Sequence, residues 1–409
     1  LQDTGPKFFN FDEKTMKNII RISKLYNPVF LFCISWIITL LFYLLNSSEY
    51  VEASSDNSIL YISLSIFVFF IFGYSFKGMP KFDLYGCQLS KSNILVVLIV
   101  FFTILIFQVV SEIRYFGTLP FMASIVFSDD VDYNIIGSIF KYRHNVFIKG
   151  NSIFLAGYFF FIYTFSKKKR FIYIYILILI ISFFYLSRST LLSITSISLM
   201  IYYVKNKLKL KDLIYFSILL ILLSYGFDKL YFLRNMGDEH FMSKTYESFG
   251  FLDSVNRGLN GIFNYVSSPV SNLLYNIDYG TFSYLEFRPS YLVRRFLPND
   301  VAVYFFGNID FNETVYLPNN SNTFTTFPPI LFAFGLIGSI CFFLTFIGVV
   351  LRFIHFRFSS NPYKWLLAII FINHIMLFSI FSTSFLNIVY YFPVVFAYLF
   401  PPIKKITAS

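Results

Sequence analysis

The chain has 409 residues, of which 56% are hydrophobic, 22% aromatic and 13% charged, and its net charge is +11. Soluble domains carry roughly 25% charged residues, and a soluble fold could not hide this much apolar surface without large exposed patches. The composition therefore excludes soluble globular, disordered, collagen-like and coiled-coil proteins, and it predicts a protein whose solvent is lipid.

Apolar runs recur along the chain at the length that a membrane span requires, which is about 20 residues. The predicted spans are 28–46, 58–76, 93–110, 151–166, 171–187, 189–204, 212–232, 327–351, 362–384 and 386–402. We predict an all-α, polytopic membrane bundle of about ten transmembrane helices, in a single domain that covers residues 1–409.

Two pairs of these spans are separated by very few residues. The fifth and sixth are interrupted only by Ser187-Arg188-Ser189, and the ninth and tenth only around Thr383 and Ser384. We interpret each pair as two helices joined by a tight turn, and the alternative in each case is one kinked helix.

The charges predict the orientation of the bundle. With the N-terminus in the cytoplasm, cytoplasmic segments carry 21 of the 33 Lys and Arg residues but only 5 of the 22 acids. This asymmetry follows the positive-inside rule, so we expect both termini in the cytoplasm. The overall basic charge is then an orientation signal. No nucleic-acid-binding motif accompanies it, and we expect no nucleic acid partner.

Two external segments are large enough to build a site. One covers about 111–150, and the other covers about 229–326, between the seventh and eighth spans. Within the second, residues 261–277 are too polar to span a membrane. They predict an interfacial or re-entrant helix at the outer surface.

Arginine dominates the cations of the larger loop. Arg presents a planar fork that matches phosphate oxygens two at a time, whereas Lys is a point charge. We therefore predict a diphosphate-binding group. Its members are Arg188, Arg234, Arg257, Arg288, Arg294 and Arg295. The alternative for any one of them is an ordinary ion pair with the acids of the loop.

Arg188 stands out because it lies between two apolar runs, at the external opening of the bundle. A charge at that depth is costly unless it is paired or functional. The alternative is that its long side chain extends to the membrane–water interface, where the guanidinium group stays hydrated. The serines on both sides favour a binding role, because they add hydrogen-bond donors at the same point.

Four external side chains are candidates for a general base: His144, Asp132, Glu239 and His240. Asp130 and Asp132 have a spacing that some transferases use for a divalent metal, but the motif is short and common, so we predict no metal site and no cofactor. His374 lies in the middle of a span, where a hydrogen bond within the bundle would account for it.

Other catalytic classes lack support in the sequence. The chain has no Ser-His-Asp pattern, no G-x-S-x-G, no H-E-x-x-H and no P-loop. Its three cysteines, Cys33, Cys87 and Cys341, form neither a disulfide framework nor a zinc motif. Proteolysis, simple esterase chemistry and ATP hydrolysis are therefore not predicted.

Three segments together resemble a known family. They contain Tyr115-Phe116-Gly117-Thr118-Leu119-Pro120 with Asp132-Tyr133, Gly137 and His144 after it; Leu186-Ser187-Arg188-Ser189-Thr190-Leu191-Leu192; and Asn322-Thr323-Phe324-Thr325-Thr326 with Phe334-Gly335-Leu336-Ile337-Gly338. With Asn27-Pro28 and Trp36 in the first span, their order and spacing resemble the Wzy-type O-antigen polymerases, also called oligosaccharide repeat-unit polymerases.

The resemblance implies a GT-C-like glycosyltransferase of the bacterial inner membrane, with its active site facing the periplasm. Such enzymes transfer a growing glycan from one polyprenyl diphosphate carrier to a repeat unit on another, and polyprenyl diphosphate leaves. They are regarded as needing neither metal nor nucleotide. The resemblance also implies a chain-length regulator and a flippase as partners.

Two other functions fit the same features. One is an O-antigen ligase or another polyprenyl-diphosphate-dependent glycosyltransferase, which differs from a polymerase in its acceptor. The other is a flippase or transporter for lipid-linked oligosaccharide, which would place charged residues along the spans. We see no inverted repeat of helix lengths in the sequence, which disfavours a secondary transporter.

Overall fold

The computed structural model describes most of the bundle and part of the external loops. The described residues are 19–21, 27–45, 55–74, 81–83, 87–116, 146–184, 188–205, single positions between 212 and 228, 251–297, 299–306, 327–380 and 388–405. All structural statements below refer to these residues.

The described part is mostly helical. Its α-helices are α1 Pro28–Leu45, α2 Asp56–Gly73, α3 Lys91–Val96, α4 Phe102–Phe116, α5 Val146–Ser166, α6 Lys169–Phe184, α7 Arg188–Lys205, α8 Phe251–Asp278, α9 Ser290–Phe296, α10 Asn299–Phe306, α11 Phe327–Gly338, α12 Thr345–Ser360, α13 Pro362–Phe378 and α14 Ile388–Leu399. Two π-helical segments, Val97–Phe101 and Ser339–Leu344, connect α3 to α4 and α11 to α12. Four short strands are β1 Ile19–Arg21, β2 Lys81–Asp83, β3 Cys87–Leu89 and β4 Ile403–Lys405.

Several of the described helices have the length and composition of membrane helices. Asp56–Gly73 and Lys91–Ser111 are long and apolar enough to cross a membrane, and the bent pair Phe327–Cys341 and Thr345–Ser360 adds a third crossing if it is one span. Shorter apolar helices include Pro28–Leu44 and Pro362–Phe378. The membrane class is therefore supported, and the number of ten spans stays a prediction.

The two closely spaced pairs of predicted spans are separate helices, as predicted. Helices α6 and α7 pack against each other, and so do α13 and α14. One kinked helix cannot fold back to contact itself in this way, so the alternative is excluded for both pairs.

Asn-Pro marks the start of two helices. Asn27 accepts a hydrogen bond from the Val29 amide at 3.0 Å, and Asn361 accepts one from the Lys364 amide at 3.4 Å. The Asn side chain accepts a hydrogen bond from a first-turn amide that has no partner within the helix. Pro at the first helical position loses no hydrogen bond, because an N–H there would also have had no helical partner. This local chemistry fixes where α1 and α13 begin.

Strand pairing joins segments that the charge pattern assigns to one side. Strands β1 and β2 are antiparallel, and so are β3 and β4. The pairs connect the segment before α1, the segment between α2 and α3, and the segment after α14. At the turn between α5 and α6, partial burial and the charges of Arg170 and Lys91 lower the pKa of Lys168. Four of the segments that the charges predict to be cytoplasmic therefore lie at one end of the bundle.

At the opposite end, α8 is tied to the start of α2. The Asp278 carboxylate accepts hydrogen bonds from the Ser55 amide at 2.6 Å, from the Ser55 hydroxyl, and from the Ser58 hydroxyl at 3.1 Å. A carboxylate is favourable at the N-terminus of a helix because the helix dipole is positive there. This contact fixes the C-terminal end of α8 beside the N-terminus of α2.

The helix predicted within residues 261–277 exists and is longer, because α8 covers Phe251–Asp278. Its C-terminal half packs against α1 and α2, and it buries Val270, Leu273 and Leu274. Part of the external loop is thus built into the helical core.

Trp36 holds the centre of this core. Its ring meets Phe327 edge to face at 4.9 Å, and its indole N–H donates to the Ser379 hydroxyl at 3.1 Å. The indole is fully buried, and this hydrogen bond gives its N–H the partner that a buried polar group needs. It joins α1, α11 and the end of α13.

The predicted span 327–351 was expected to be continuous, and the structure differs. Gly335 has φ 71° and ψ −177°, which interrupts the helix, and α12 is bent by 66° from the preceding helix. The backbone groups of this break hydrogen-bond to residues 283–288, which precede α9.

Candidate functional site

Lys149 lies near the start of α5 and is partly buried. Its ammonium donates a hydrogen bond to the Ser189 hydroxyl at 2.8 Å and lies 5.0 Å from the centre of the Tyr390 ring. Tyr390 belongs to α14, and Ser189 is the second residue of α7. The contacts of one lysine therefore join three helices at the end of the bundle that the loop charges predict to be external.

A line of serine hydroxyls continues from Ser189 into the bundle. Ser189, Ser193 and Ser196 share one face of α7, because residues three and four apart are neighbours on a helix. The Ser193 hydroxyl donates to the Ser189 carbonyl at 2.7 Å, and the Ser196 hydroxyl donates to the Ser193 carbonyl at 3.0 Å. This face of α7 is polar over two turns.

His374 of α13 lies at the inner end of this line. Its Nδ1 is 2.8 Å from the Ser196 hydroxyl, and its ring lies 4.3 Å from Phe378 and 6.1 Å from Tyr390 between centres. The prediction that His374 is hydrogen-bonded within the bundle is confirmed. Its Nε2 is buried and has no hydrogen-bond partner among the described residues.

We call Lys149, Ser189, Ser196, His374 and Tyr390 the lysine–histidine cluster. It combines a cation, two hydroxyls, an imidazole and an aromatic ring, contributed by α5, α7, α13 and α14. Lys149, Ser189 and Ser196 are partly buried, while His374 and Tyr390 are buried. The cluster therefore offers a positive charge at its outer end and proton-exchanging groups at its inner end.

A second polar contact braces the start of α5. Asn151 is buried and donates from Nδ2 to the Phe101 carbonyl at 2.9 Å. Phe101 closes the π-helical segment that precedes α4. A π-helical turn disturbs the regular hydrogen bonding of a helix, and Asn151 supplies a partner there. This hydrogen bond helps to fix the position of Lys149 along the axis of the bundle, because Lys149 lies two residues earlier on α5.

Arg188, which the sequence singled out, is the first residue of α7. It immediately precedes Ser189, the hydrogen-bond partner of Lys149. Its side chain is outside the described part of the structure. The backbone alone therefore places two cationic residues, Lys149 and Arg188, at the same end of the bundle and beside the N-terminus of α7.

Arg257, a predicted diphosphate ligand, makes a two-pronged ion pair. Its Nε donates to Asp228 Oδ1 at 3.1 Å and its Nη2 to Oδ2 at 3.0 Å. Asp228 is buried, whereas the Arg257 side chain is 30% exposed. In this structure the planar fork of Arg257 engages a carboxylate.

Arg288 and Arg294 differ in their surroundings. Arg288 is exposed and pairs with Glu286 at 3.0 Å. Arg294 is buried in α9, which packs against α11. Arg295 also belongs to α9, and its side chain is outside the described part. The backbone thus places Arg288, Arg294 and Arg295 close together along the segment that contacts the broken helix.

The remaining predicted site residues lie outside the described residues: His144, Asp132, Glu239, His240 and Arg234. Asp130, the other half of the acidic pair in the first external loop, lies there too. Within the described ranges no group of three or more His, Cys, Asp or Glu side chains could hold a metal ion.

Lys149 is the site residue that the sequence reasoning missed. The apolar run that marks the span begins near residue 151, so Lys149 was counted as part of the external loop. The structure starts α5 five residues earlier, at Val146. The sequence is compatible with this earlier helix start, since residues 146–149 include neither glycine nor proline.

Comparison of the chain with known protein families, with characterised proteins and with solved structures gives no match.

Proposed function

We propose that the protein is a membrane glycosyltransferase that polymerises oligosaccharide repeat units linked to polyprenyl diphosphate, giving O-antigen or capsular-type polysaccharide. The observation that carries the proposal is the position of Lys149. Its ammonium bonds to Ser189 at the N-terminus of α7, next to Arg188. Two cationic residues and the positive end of a helix dipole favour a bound anion at this point.

The chemistry requires such an anion site. The acceptor hydroxyl oxygen forms a bond to the anomeric carbon of the donor glycan, and the bond from that carbon to the diphosphate oxygen breaks. Negative charge develops on the departing diphosphate, and cations fixed in advance stabilise it in the transition state. Lys149 and Arg188 would supply these charges, and Arg234, Arg257, Arg288, Arg294 and Arg295 are further candidates.

The proton of the acceptor hydroxyl needs a base. His144, Asp132, Glu239 and His240 are the external candidates. No metal or cofactor has a part in this scheme. A site at the membrane surface lets both carriers keep their polyprenyl chains in lipid while their glycans meet, so proximity supplies much of the remaining rate.

We place the paired strands in the cytoplasm and the lysine–histidine cluster at the periplasmic face of a bacterial inner membrane. The charge asymmetry of the loops supports this orientation. Ten spans with a GT-C-like arrangement, and a flippase and a chain-length regulator as partners, belong to the same proposal.

A complementation experiment tests the proposal in cells. A deletion strain receives the wild-type gene, Lys149→Met, Lys149→Arg, Arg188→Ala or Lys364→Met, and surface polysaccharide is separated on a gel. Lys364 is the matched control, because its ammonium also lies over a tyrosine ring, that of Tyr398 at 4.0 Å, but at the opposite end of the bundle. All variants are checked for expression in the membrane.

We expect Lys149→Met and Arg188→Ala to give a single repeat unit on the lipid core and no ladder. Lys149→Arg should restore part of the ladder, because the charge is kept, and Lys364→Met should restore all of it. A full ladder with Lys149→Met would contradict the proposed role of the cation.

One observation favours a second candidate, a flippase for lipid-linked oligosaccharide. His374 and Asn373 place buried polar groups inside the helical core, and the partly buried Ser196 hydroxyl hydrogen-bonds to His374. Polar groups inside a membrane bundle often line a substrate path. The same gel separates the candidates, because a flippase deletion removes every repeat unit from the core. Loss of core-linked units with long carrier-linked chains would instead indicate a ligase.

A further inference from the structure

Residues 279–288, which follow α8, expose four large apolar side chains on the external side. Tyr279, Tyr284, Leu285 and Phe287 are between 65% and 76% exposed. Apolar surface exposed to water is unfavourable, and a contiguous exposed patch usually marks a contact surface. We call residues 279–288 the aromatic segment.

The segment is held in place by backbone hydrogen bonds to the break in α11. The Glu286 and Arg288 amides donate to the Phe334 and Ala333 carbonyls at 3.1 and 2.7 Å. In return, the Leu336 and Ile337 amides donate to the Ser283 and Tyr284 carbonyls, both at 2.9 Å. The pairing fixes the backbone on both sides of the exposed residues, so these side chains cannot simply fold back into the core.

The break itself depends on Gly335. Its φ of 71° is a conformation that L side chains rarely adopt, and it turns the neighbouring amides and carbonyls out of the helix. A Cβ at this position would lie 2.7 Å from the Ser283 carbonyl oxygen and 2.8 Å from the Leu285 nitrogen. The close approach of the two backbones therefore requires glycine.

Two contacts fix the depth of the segment. It begins directly after Asp278, which caps the N-terminus of α2, and α2 is one of the helices with the length and composition of a membrane span. The Tyr61 hydroxyl on the next turn of α2 donates to the Leu336 carbonyl at 3.2 Å. The end of a span lies at the boundary between lipid and water, so the aromatic segment lies there too.

The exposed side chains continue a surface that faces lipid. Leu60, Leu64 and Phe67 of α2 are exposed, as is Ile337 beside the break. Within a membrane these side chains contact acyl chains. Ile337 connects this surface to the aromatic segment, because its amide donates to the Tyr284 carbonyl. Its only charges, Glu286 and Arg288, pair with each other.

We propose that the aromatic segment is a membrane anchor, which inserts Tyr284, Leu285 and Phe287 among the phospholipid headgroups of the external leaflet. Aromatic side chains favour that zone because they are apolar with a polarisable ring, and tyrosine adds a hydroxyl that remains hydrated. Arg288 lies at the level of the lipid phosphates. The anchor fixes the C-terminal end of α8, and α9 with its arginines, relative to the membrane surface. The inference does not depend on the proposed function.

Tryptophan fluorescence in nanodiscs of phosphatidylcholine tests the anchor on the full chain. Phe287→Trp reports on the segment, and Tyr284→Trp is a second reporter if the first does not fold. Phe67→Trp marks the depth of α2, and Lys404→Trp marks an exposed position in β4. The signal of the parent chain, which contains Trp36 and Trp365, is subtracted in every case. The quenchers are lipids brominated near the headgroup, lipids brominated near the chain end, and iodide in solution.

We expect Phe287→Trp to lose more fluorescence to shallow bromines than to deep ones and to lose little to iodide. Phe67→Trp should show the reverse order of bromines, and Lys404→Trp should respond to iodide alone. Quenching of Phe287→Trp by iodide but not by bromines would overturn the proposal in favour of an aqueous surface. Protection from all three quenchers would overturn it in favour of a protein contact, with a second copy of the chain as the first candidate.

Discussion

At the residue scale, two ion pairs with the same chemistry have very different environments. Arg257 engages buried Asp228 from α8, whereas Arg288 engages Glu286 in the exposed aromatic segment. Exposed pairs contribute about 0–1 kcal/mol because water and salt screen them. Removing one partner of a buried pair is far more costly, because the remaining charge stays desolvated.

Arg257→Ala should therefore destabilise the protein by about 1–3 kcal/mol, less than for a fully buried pair because Arg257 is partly exposed. Arg288→Ala should change stability by less than about 0.5 kcal/mol. The measurement is thermal unfolding of both variants in the same detergent, with Arg257→Ala/Asp228→Ala as a third variant that removes both charges and should recover part of the loss. Equal melting temperatures for the two single variants would contradict this account.

At the element scale, regular helices follow from local sequence and their interruptions do not. The apolar runs predicted the described helices of the bundle, and the structure shows that Asn-Pro sets where α1 and α13 begin; both features depend on neighbouring residues. The break at Gly335 was missed, since Phe334-Gly335-Leu336 is apolar throughout. Its backbone is satisfied by residues 283–288, about fifty positions earlier, and such a partner is visible only in the folded chain.

The same limit applies to the candidate site. Arg188 could be found from sequence because a charge between apolar runs is unusual. The contact between Lys149 and Ser189 could not, because it joins helices that are forty residues apart. The hydrogen bond that was expected for His374 does exist, but its partner Ser196 could not be named before α7 and α13 were seen together.

Gly335→Ala tests the docking of the aromatic segment on α11. Gly280→Ala is its control, because both glycines have positive φ but a Cβ on Gly280 would meet no atom within 4 Å. Gly280→Ala should lose about 1–2 kcal/mol to backbone strain, and Gly335→Ala at least as much, because φ 71° with ψ −177° is a conformation essentially restricted to glycine. Gly335→Ala should lose about 1–3 kcal/mol more from steric overlap with Ser283 and Leu285.

The difference between the two glycine variants is read from thermal unfolding and from the rate of limited proteolysis within residues 279–288. Faster cleavage in Gly335→Ala than in Gly280→Ala is the expected result. Indistinguishable stability and cleavage would mean that the segment does not depend on the break in α11.

At the scale of the whole molecule, the contacts sort the chain into two ends. Strand pairs and the lysines around Lys168 lie at one end, while Asp278 with Ser55 and Lys149 with Ser189 lie at the other. This grouping agrees with the sides that the loop charges predict, although the two lines of reasoning are independent. The orientation with both termini in the cytoplasm and the lysine–histidine cluster outside stays a prediction from the loop charges.

Cysteine labelling tests this orientation. In a variant whose native cysteines are replaced, Asn256→Cys on the exposed face of α8 should react with an impermeant maleimide in intact spheroplasts. Ser360→Cys, at the exposed end of α12, should react only after lysis. The reverse pattern would invert the orientation and remove the periplasmic site.

The most direct measurement of the central claim is a reaction with purified protein in lipid and a defined repeat unit on polyprenyl diphosphate. The account predicts a ladder of longer glycans, with one polyprenyl diphosphate released for each linkage. Lys149→Met should lower the rate by about 100-fold or more, as expected when a preorganised charge is lost, whereas Lys364→Met should match the wild type. No elongation by the wild-type protein, or elongation at the wild-type rate by folded Lys149→Met, would contradict it.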